Sequence, residues 1–470
     1  MKTRPHSLLV LGAGPAGLAA AWAWHQRGGA ATVLERDTQV GGLARTVVYK
    51  GYRFDIGGHR FFTRYDRVMA LWQETLGPEL LLRPRLSRIF YRGRMFSYPL
   101  EPRNALRNLG PIEAARCVAS FGRARFRPRG QERSFEEWVS NRFGDRLFEI
   151  FFKAYTEKVW GMPCDQISAD WAAQRIKNLS LGGALRQALL KDRSGSVTSL
   201  VERFHYPRLG PGQMYERLAA RIEEHGGQVW TGTSVVALHR EGFHITAVEI
   251  ERGGQRQRLP AEQVLSSIPL THLVRALSPA APPEVLEAAS RLRFRHMMSV
   301  NLIVRGTQLF PDNWVYVHSP ELKVGRIQNY GNWSPEMVPT AGHSALGLEY
   351  FTQDGDPLWS MPDAELIALA TRELAATGLC SAEVIDGLVV RAPRAYPIYD
   401  QGYEERVEVI SRYLRQFDNL AAMGRYGMFK YNNSDHSILT AMLSVENIDG
   451  AQHDVWAVNA DESYHEEKPQ

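Results

Sequence analysis

An α/β fold with a parallel sheet at its N-terminal end is predicted by three features met in order along residues 7–35. The first is a short β-type apolar run, Ser7-Leu8-Leu9-Val10-Leu11. It leads at once into Gly12-Ala13-Gly14-Pro15-Ala16-Gly17, and an Ala-rich helical stretch follows over residues 18–26. The third feature is a second apolar strand, Ala31-Thr32-Val33-Leu34, which ends in Glu35, 18 residues after Gly17. Gly12 permits the tight turn, Gly14 lets the backbone approach a pyrophosphate, and Gly17 lets helix pack on strand. The free N–H groups at the helix start then face an anion, and the carboxylate stands where a ribose hydroxyl binds. Strand, turn, helix, strand and acid together define a Rossmann-type dinucleotide unit.

The same fingerprint serves NAD and FAD, and the next residues favour FAD. Gly41-Gly42-Leu43-Ala44-Arg45-Thr46 follows the acid, and Tyr52-Arg53-Phe54-Asp55-Ile56-Gly57-Gly58-His59 brings a second glycine pair after a strand-like run. Two more close backbone approaches suit an extended FAD running past the first unit toward its ring system. The expected cofactor set from this half of the chain is Gly12, Gly14, Ala16, Gly17, Glu35, Arg36, Gly42, Leu43, Ala44, Gly57, Gly58 and His59.

At 470 residues, 44% hydrophobic and 23% charged, the chain is long enough for two or three domains with their own cores. A net charge of +5 does not announce a nucleic-acid binder and suits an anionic small ligand equally well. Cys117, Cys164 and Cys380 are far apart and form no C-x-x-C pair, which argues against a disulfide framework and a zinc site. No metal is expected, and a reducing cytoplasm is the natural compartment. No run approaches the roughly 18 apolar residues a membrane span needs, so the protein is expected to be soluble, or peripheral at most.

The remaining elements divide the chain. Residues 1–100 begin the FAD-binding domain, and residues 101–200 form a helical insertion, read from Phe135, Trp138, Val139 and Phe143, then Leu147, Ile150, Phe151 and Tyr155. Residues 201–290 return to the first sheet through a helix over 213–225 and strands at 226–230 and 264–268. Residues 291–415 carry a substrate-domain sheet, expected to be antiparallel from the alternation Met298-Ser299-Val300-Asn301-Leu302-Ile303-Val304, and residues 416–470 complete the FAD domain. The polar stretch 192–196 is a lid candidate, and the tail from Glu462 is expected to fray.

Further motifs resemble a known family. Ala154-Tyr155-Thr156-Glu157-Lys158-Val159-Trp160-Gly161 is similar to the substrate-site signature of the UDP-galactopyranose mutases, and the spacing continues through Arg175 and Ile176. That family lies among the amine-oxidase and protoporphyrinogen-oxidase-like proteins of the glutathione-reductase-like FAD group. Phe96-Ser97-Tyr98-Pro99-Leu100, Pro211-Gly212-Gln213-Met214-Tyr215, Gly424-Arg425 and Lys430-Tyr431 follow in the family's order. The resemblance implies that Val235, Gly424, Arg425, Asp435 and Ser437 also touch FAD, with a helix from about Asp435 pointing its N-terminus at the cofactor. It implies catalytic roles for His59, Trp160, Arg326 and Tyr396, and substrate binding by Tyr155, Arg175 and Tyr399. Gln213 replaces a glycine and Phe62 a histidine of the family pattern, and residues 178–183 lack its lid arginine.

The resemblance implies a pyranose/furanose mutase in which reduced flavin N5 is the nucleophile, the substrate a sugar or nucleotide-sugar and NAD(P)H a candidate reductant. The alternative is an FAD-dependent oxidase, dehydrogenase or desaturase of the amine-oxidase type, motivated by the missing lid arginine and by Phe62. A non-catalytic flavin-binding partner protein is a third reading, opposed by the Tyr155 to Gly161 signature. No G-x-S-x-G elbow and no H-E-x-x-H occurs. Without the family, His59 is equally a backbone-bonded histidine or a flavin neighbour. Arg123, Arg125, Arg127 and Arg129 read as a solvated face, with attraction to an acidic membrane surface or partner as the alternative. Glu157 and Lys158 read as surface charges.

Overall fold

Five parallel strands form the sheet that organises the molecule, in the order Leu420–Ala422, Gln263–Ser266, Ser7–Leu11, Ala30–Leu34 and Gln228–Trp230. They belong to a computed structural model that describes residues 7–98, 100–169 and 202–459. A parallel sheet needs both faces covered. One face packs on the helix Pro15–His25, whose residues 16–24 are all buried. Its run of alanines lets the helices Ser434–Ile448 and Gly212–Glu224 approach closely, so that Ala19, Ala20, Ile438, Ala441, Leu218 and Ile222 share one core. The other face packs on a small sheet in the order Gln255–Pro260, His244–Arg252, Thr233–Glu241 and Leu277–Ser278. Neither that small sheet nor the fifth parallel strand, Leu420–Ala422, is evident from periodicity.

A seven-stranded sheet stands against this unit, ordered Val384–Pro397, Phe294–Arg305, His343–Thr352, Arg326–Asn329, Trp314–Val317, Ser87–Tyr91 and Arg94–Ser97. It departs from the expected antiparallel sheet in one pairing, since Trp314–Val317 runs parallel to Ser87–Tyr91. Two of its strands thus come from the first hundred residues. The alternation in Phe294–Arg305 also has a different cause from a half-solvated strand: residues 295–304 are buried on both faces. Ser299 and Asn301 tolerate this because the Ser299 hydroxyl donates to Asn301 Oδ1 at 2.9 Å, and Asn301 Nδ2 donates to the Ser299 carbonyl at 3.2 Å.

Helices fill the described part of residues 101–169. Phe135–Phe143 starts with a capping box in which Ser134 Oγ accepts from the Glu137 N–H at 3.2 Å and Glu137 Oε2 accepts from the Ser134 N–H at 3.0 Å. Such a cap stabilises by about 1 kcal/mol. Phe135, Trp138, Val139, Phe143, Phe148, Phe151 and Trp160 pack with Met297 and Phe351, seating these helices on the large sheet. Arg175, the 178–183 stretch, the 192–196 lid candidate and the tail from Glu462 lie outside the described residues. Among the described residues, no helix is long and apolar enough to cross a membrane.

Candidate active site

The central parallel strands end at Leu11, Leu34 and Ser266 and run on into Gly12, Glu35 and Ser267, at the C-terminal edge where open α/β sheets bind ligands. A cavity of about 590 Å³ runs over this edge, bordered by Gly12, Glu35, Arg36, Val235 and Arg394. A second, of about 250 Å³, lies between the glycine turn and the large sheet. Gly14, Gly42, Leu43, Ser267 and Tyr426 border both, so the two form one trench. Ala16, Ala44, Gly57, Gly58, His59, Arg425 and Ser437 all line its inner end, together with Arg326 and Tyr396.

The trench fits an FAD. A Cβ built on Gly14 meets nothing within 4 Å, whereas one on Gly17 would lie 1.8 Å from the Gly12 carbonyl oxygen. Gly14 therefore leaves open space where a diphosphate would approach, and Gly17 serves helix packing. Neither the Pro15–His25 helix nor its N-cap Gly14 has a side-chain cap, so the Ala16 and Gly17 N–H groups remain available. The helix Ser434–Ile448 begins against the inner cavity, where Asn433, Ser434 and Ser437 form part of the wall. Glu35 is pinned by backbone N–H groups, from Ala13 to Oε2 at 2.8 Å and from Asp37 to Oε1 at 2.9 Å. Each oxygen retains a lone pair for a ribose hydroxyl.

Three expected cofactor residues stand outside the wall. Gly17 is internal, as above, and Gly424 adopts φ +77 where a Cβ would come within 2.8 Å of Ala16 Cβ, so it permits close packing. Asp435 is buried among protein groups near His436 and Thr63, and burial pushes its carboxyl up to about 6.

At the inner end, Arg326 Nη2 donates to the Tyr396 hydroxyl at 2.9 Å and pairs with Glu349 at 2.6 Å. Glu349 is fully buried, and its Oε1 accepts from Gln328 Nε2 at 2.7 Å. Arg326 Nε and Gln328 Oε1 are buried without a hydrogen-bond partner, which leaves a donor on a cavity-lining residue and an acceptor beside Gly58. Arg425 donates to the Ala395 carbonyl at 3.0 Å and lies 4.1 Å from the Tyr431 ring centroid. His59 Nδ1 lies 3.2 Å from the Gly57 carbonyl, and the residue lines the inner cavity. Burial, reinforced by the Arg425 and Arg326 charges, holds its pKa down to about 4, so the ring is neutral at physiological pH.

Trp160 and Tyr399 lie behind the wall rather than in it. Trp160 is buried with its ring centroid 6.1 Å from Tyr396 and 6.3 Å from Tyr431. The Tyr399 hydroxyl accepts from the Tyr431 N–H at 2.6 Å, and its ring stacks on Tyr403. Both support the rings that reach the cavity. Tyr155 stacks on His318 at 4.6 Å and stands edge-on to Tyr316, also outside the wall. Gln213 does not line the trench either, because its Oε1 accepts from the Leu209 N–H at 3.0 Å; Phe62 does.

Lys158 is no surface charge. Its Nζ donates to the carbonyls of Val317, Ser319 and Val324 at 2.9, 3.1 and 3.0 Å, and burial lowers its pKa to about 8. This ties the signature helix, Ala154–Trp160, to the large sheet. A three-residue bulge is not evident from the sequence pattern: Arg295 pairs with Tyr396 and Met297 with Ala392, so His296 alone faces Pro393, Arg394 and Ala395. The Arg394 N–H donates to His296 Nδ1 at 2.9 Å and its φ is +58. The bulge carries Arg394 toward the outer cavity and Ala395 and Tyr396 toward the inner one. Pro393 within a strand was the one available signal.

A glycine-lined trench on a parallel sheet, closed by a second sheet, defines an FAD-dependent enzyme. The chain belongs to the family of flavin-containing amine oxidoreductases, whose model matches residues 15–391. Among curated proteins it is similar to coproporphyrinogen III oxidase of Mycobacterium leprae (strain TN), 28% identical over 426 residues that cover 85% of this chain and 90% of that protein. It is also similar to a probable UDP-galactopyranose mutase of Klebsiella pneumoniae, 25% identical over 175 residues that cover 35% of this chain and 43% of that one. A solved structure of reduced UDP-galactopyranose mutase shares the fold with a TM-score of 0.85 at 21% identity, covering 98% of this chain and 100% of that chain.

Proposed function

We propose that this flavoenzyme acts on a sugar or nucleotide-sugar as a pyranose/furanose mutase-like isomerase. The observation that carries the reading is the pairing of Arg326 with the Tyr396 hydroxyl at the inner end of the trench, close to Arg425. Guanidinium and phenol together suit anionic oxygens of a sugar diphosphate. Bound FAD, in its reduced form, would supply the nucleophile that such an isomerisation requires. Gly14, Gly42, Glu35, Arg36 and Val235 would hold its adenosine and diphosphate, with Gly57, Gly58, His59 and Ser437 nearer the ring system. His59, neutral near pH 7, would donate or accept a hydrogen bond without adding charge. Tyr396 and Tyr431, stacked at 5.7 Å over Trp160 and Tyr399, would orient the substrate and exclude water.

A second reading, an oxidase or dehydrogenase, is favoured by the coproporphyrinogen III oxidase likeness across 85% of the chain. The same Arg326 and Arg425 would then meet substrate carboxylates. Under strict anaerobiosis, UDP-galactose is incubated with oxidised and with dithionite-reduced enzyme, and coproporphyrinogen III with oxidised enzyme. The mutase reading expects furanose product only from reduced enzyme, with no net flavin redox change. Bleaching of oxidised flavin by coproporphyrinogen, with inert UDP-galactose, would replace it by the second reading. NADPH in place of dithionite tests the proposed reductant.

A further inference from the structure

The helix Pro111–Phe126 carries a surface that the flavin chemistry does not use. Its inner face, with Ala114 and Cys117 buried, packs toward Phe135–Phe143. Its outer face bears Phe126 at 86% and Ile112 at 72% exposure, the two most exposed large apolar side chains among the described residues, with Val118 at 49%. At 100° per residue, Ile112, Ala115, Ala119 and Phe126 form one line about 21 Å long from the first to the last. Arg116 and Arg123 flank it on one side and Arg125 on the other, and Arg127 follows the helix end.

The electrostatics are one-sided. Among the described residues, Arg123, Arg125 and Arg127 have no carboxylate partner. Arg129 is already engaged by Glu136 at 3.0 Å and Asp145 at 2.9 Å. The helix's one acid, Glu113, is taken by Arg146 and Arg116 and sits toward the inner side.

We infer that the outer face of helix Pro111–Phe126 docks the enzyme on an anionic lipid bilayer, with Phe126 and Ile112 entering the headgroup boundary and Arg123, Arg125 and Arg127 meeting lipid phosphates. A straight apolar line with cations on both flanks matches a planar surface that is apolar at depth and anionic at its rim. Aromatic and arginine side chains occur in protein interfaces too, and a second copy of the chain as the occupant is told apart from a bilayer by the test below. A nucleic-acid backbone offers no place for the apolar side chains that project furthest. None of these residues lines the flavin trench, so docking and cofactor binding separate experimentally.

The test is flotation of the yellow holoenzyme with vesicles of pure phosphatidylcholine and of phosphatidylcholine containing phosphatidylglycerol. Binding is expected only to the anionic vesicles, falling as salt rises. I112D/F126D and, separately, R123E/R125E are each expected to reduce it by about tenfold or more with an unchanged flavin spectrum. Equal flotation on both vesicle types, no flotation on anionic vesicles, or full binding by either double variant overturns the inference. So does a concentration-dependent dimer, seen by light scattering and abolished by I112D/F126D, that forms in place of vesicle binding.

Discussion

The Arg295 guanidinium lies across Gly161: its Nη2 and Nε donate to the carbonyls of Lys158 and Val159, each at 3.1 Å, and a Cβ on Gly161 would fall 2.2 Å from Arg295 Cζ. Gly161 ends the signature helix in the left-handed region at φ +65, so it is required twice, by its backbone and by the cation packed over it. Burial lowers the Arg295 pKa to about 10, and the group remains charged at neutral pH.

Gly161→Ala is therefore expected to destabilise the protein by about 2 kcal/mol or more. Arg295→Met should leave the last carbonyls of the helix without donors and lower the melting temperature as well. Thermal melts of both variants check this, and an unchanged melting temperature for G161A would show that the cap is dispensable.

Gly14 and Gly17 should separate folding from cofactor binding. Gly14 has φ −79, open to any residue, and empty space around its Cβ position, so Gly14→Ala is expected to fold normally and lose FAD affinity. Gly17→Ala would overlap the Gly12 carbonyl and should destabilise the apoprotein itself. Apoprotein melts together with flavin-fluorescence titration distinguish the two. Wild-type FAD affinity in G14A would sink the proposed diphosphate position.

Arg326 and Glu349 should prove strongly coupled. Arg326→Met leaves the fully buried Glu349 without its cation, a loss of about 3–5 kcal/mol, whereas R326M/E349Q removes both charges and should regain most of that stability. Activity should stay lost in both variants. Urea melts in a double-mutant cycle measure the coupling, and additive effects would mean that the pair is not energetically joined.

Asp55 gives a pH signature. Burial raises its pKa from 3.8 to about 7, while hydrogen bonds from the Tyr206 and Thr46 hydroxyls act in the opposite direction. A carboxyl raised in the folded state binds its proton more tightly there than in the unfolded chain. Its contribution is therefore complete below about pH 4 and is lost as pH rises through about 7. Compared with Asp55→Asn, the wild type should lose stability across that window. Parallel stability profiles for the two proteins would contradict the assignment.

The cofactor unit was legible in the sequence because its determinants are local. Gly12, Gly14, Gly17 and Glu35 act through dihedral freedom, close backbone approach and strand ends, all set within about thirty residues of chain. Their order alone implied a trench, and His59, Arg326 and Tyr396 were found from motifs that lie in its wall.

What local pattern does not encode is which side of a packed layer a side chain takes. Tertiary structure alone put Tyr396 in the cavity and Trp160 and Tyr399 behind it, drew the half-buried Lys158 onto three carbonyls, and set Glu349 under Arg326. Each outcome depends on partners far away in the chain, such as Val317 for Lys158 and Lys158 for Arg295. Burial and charge pairing are settled between elements, after the short-range preferences of each have been met.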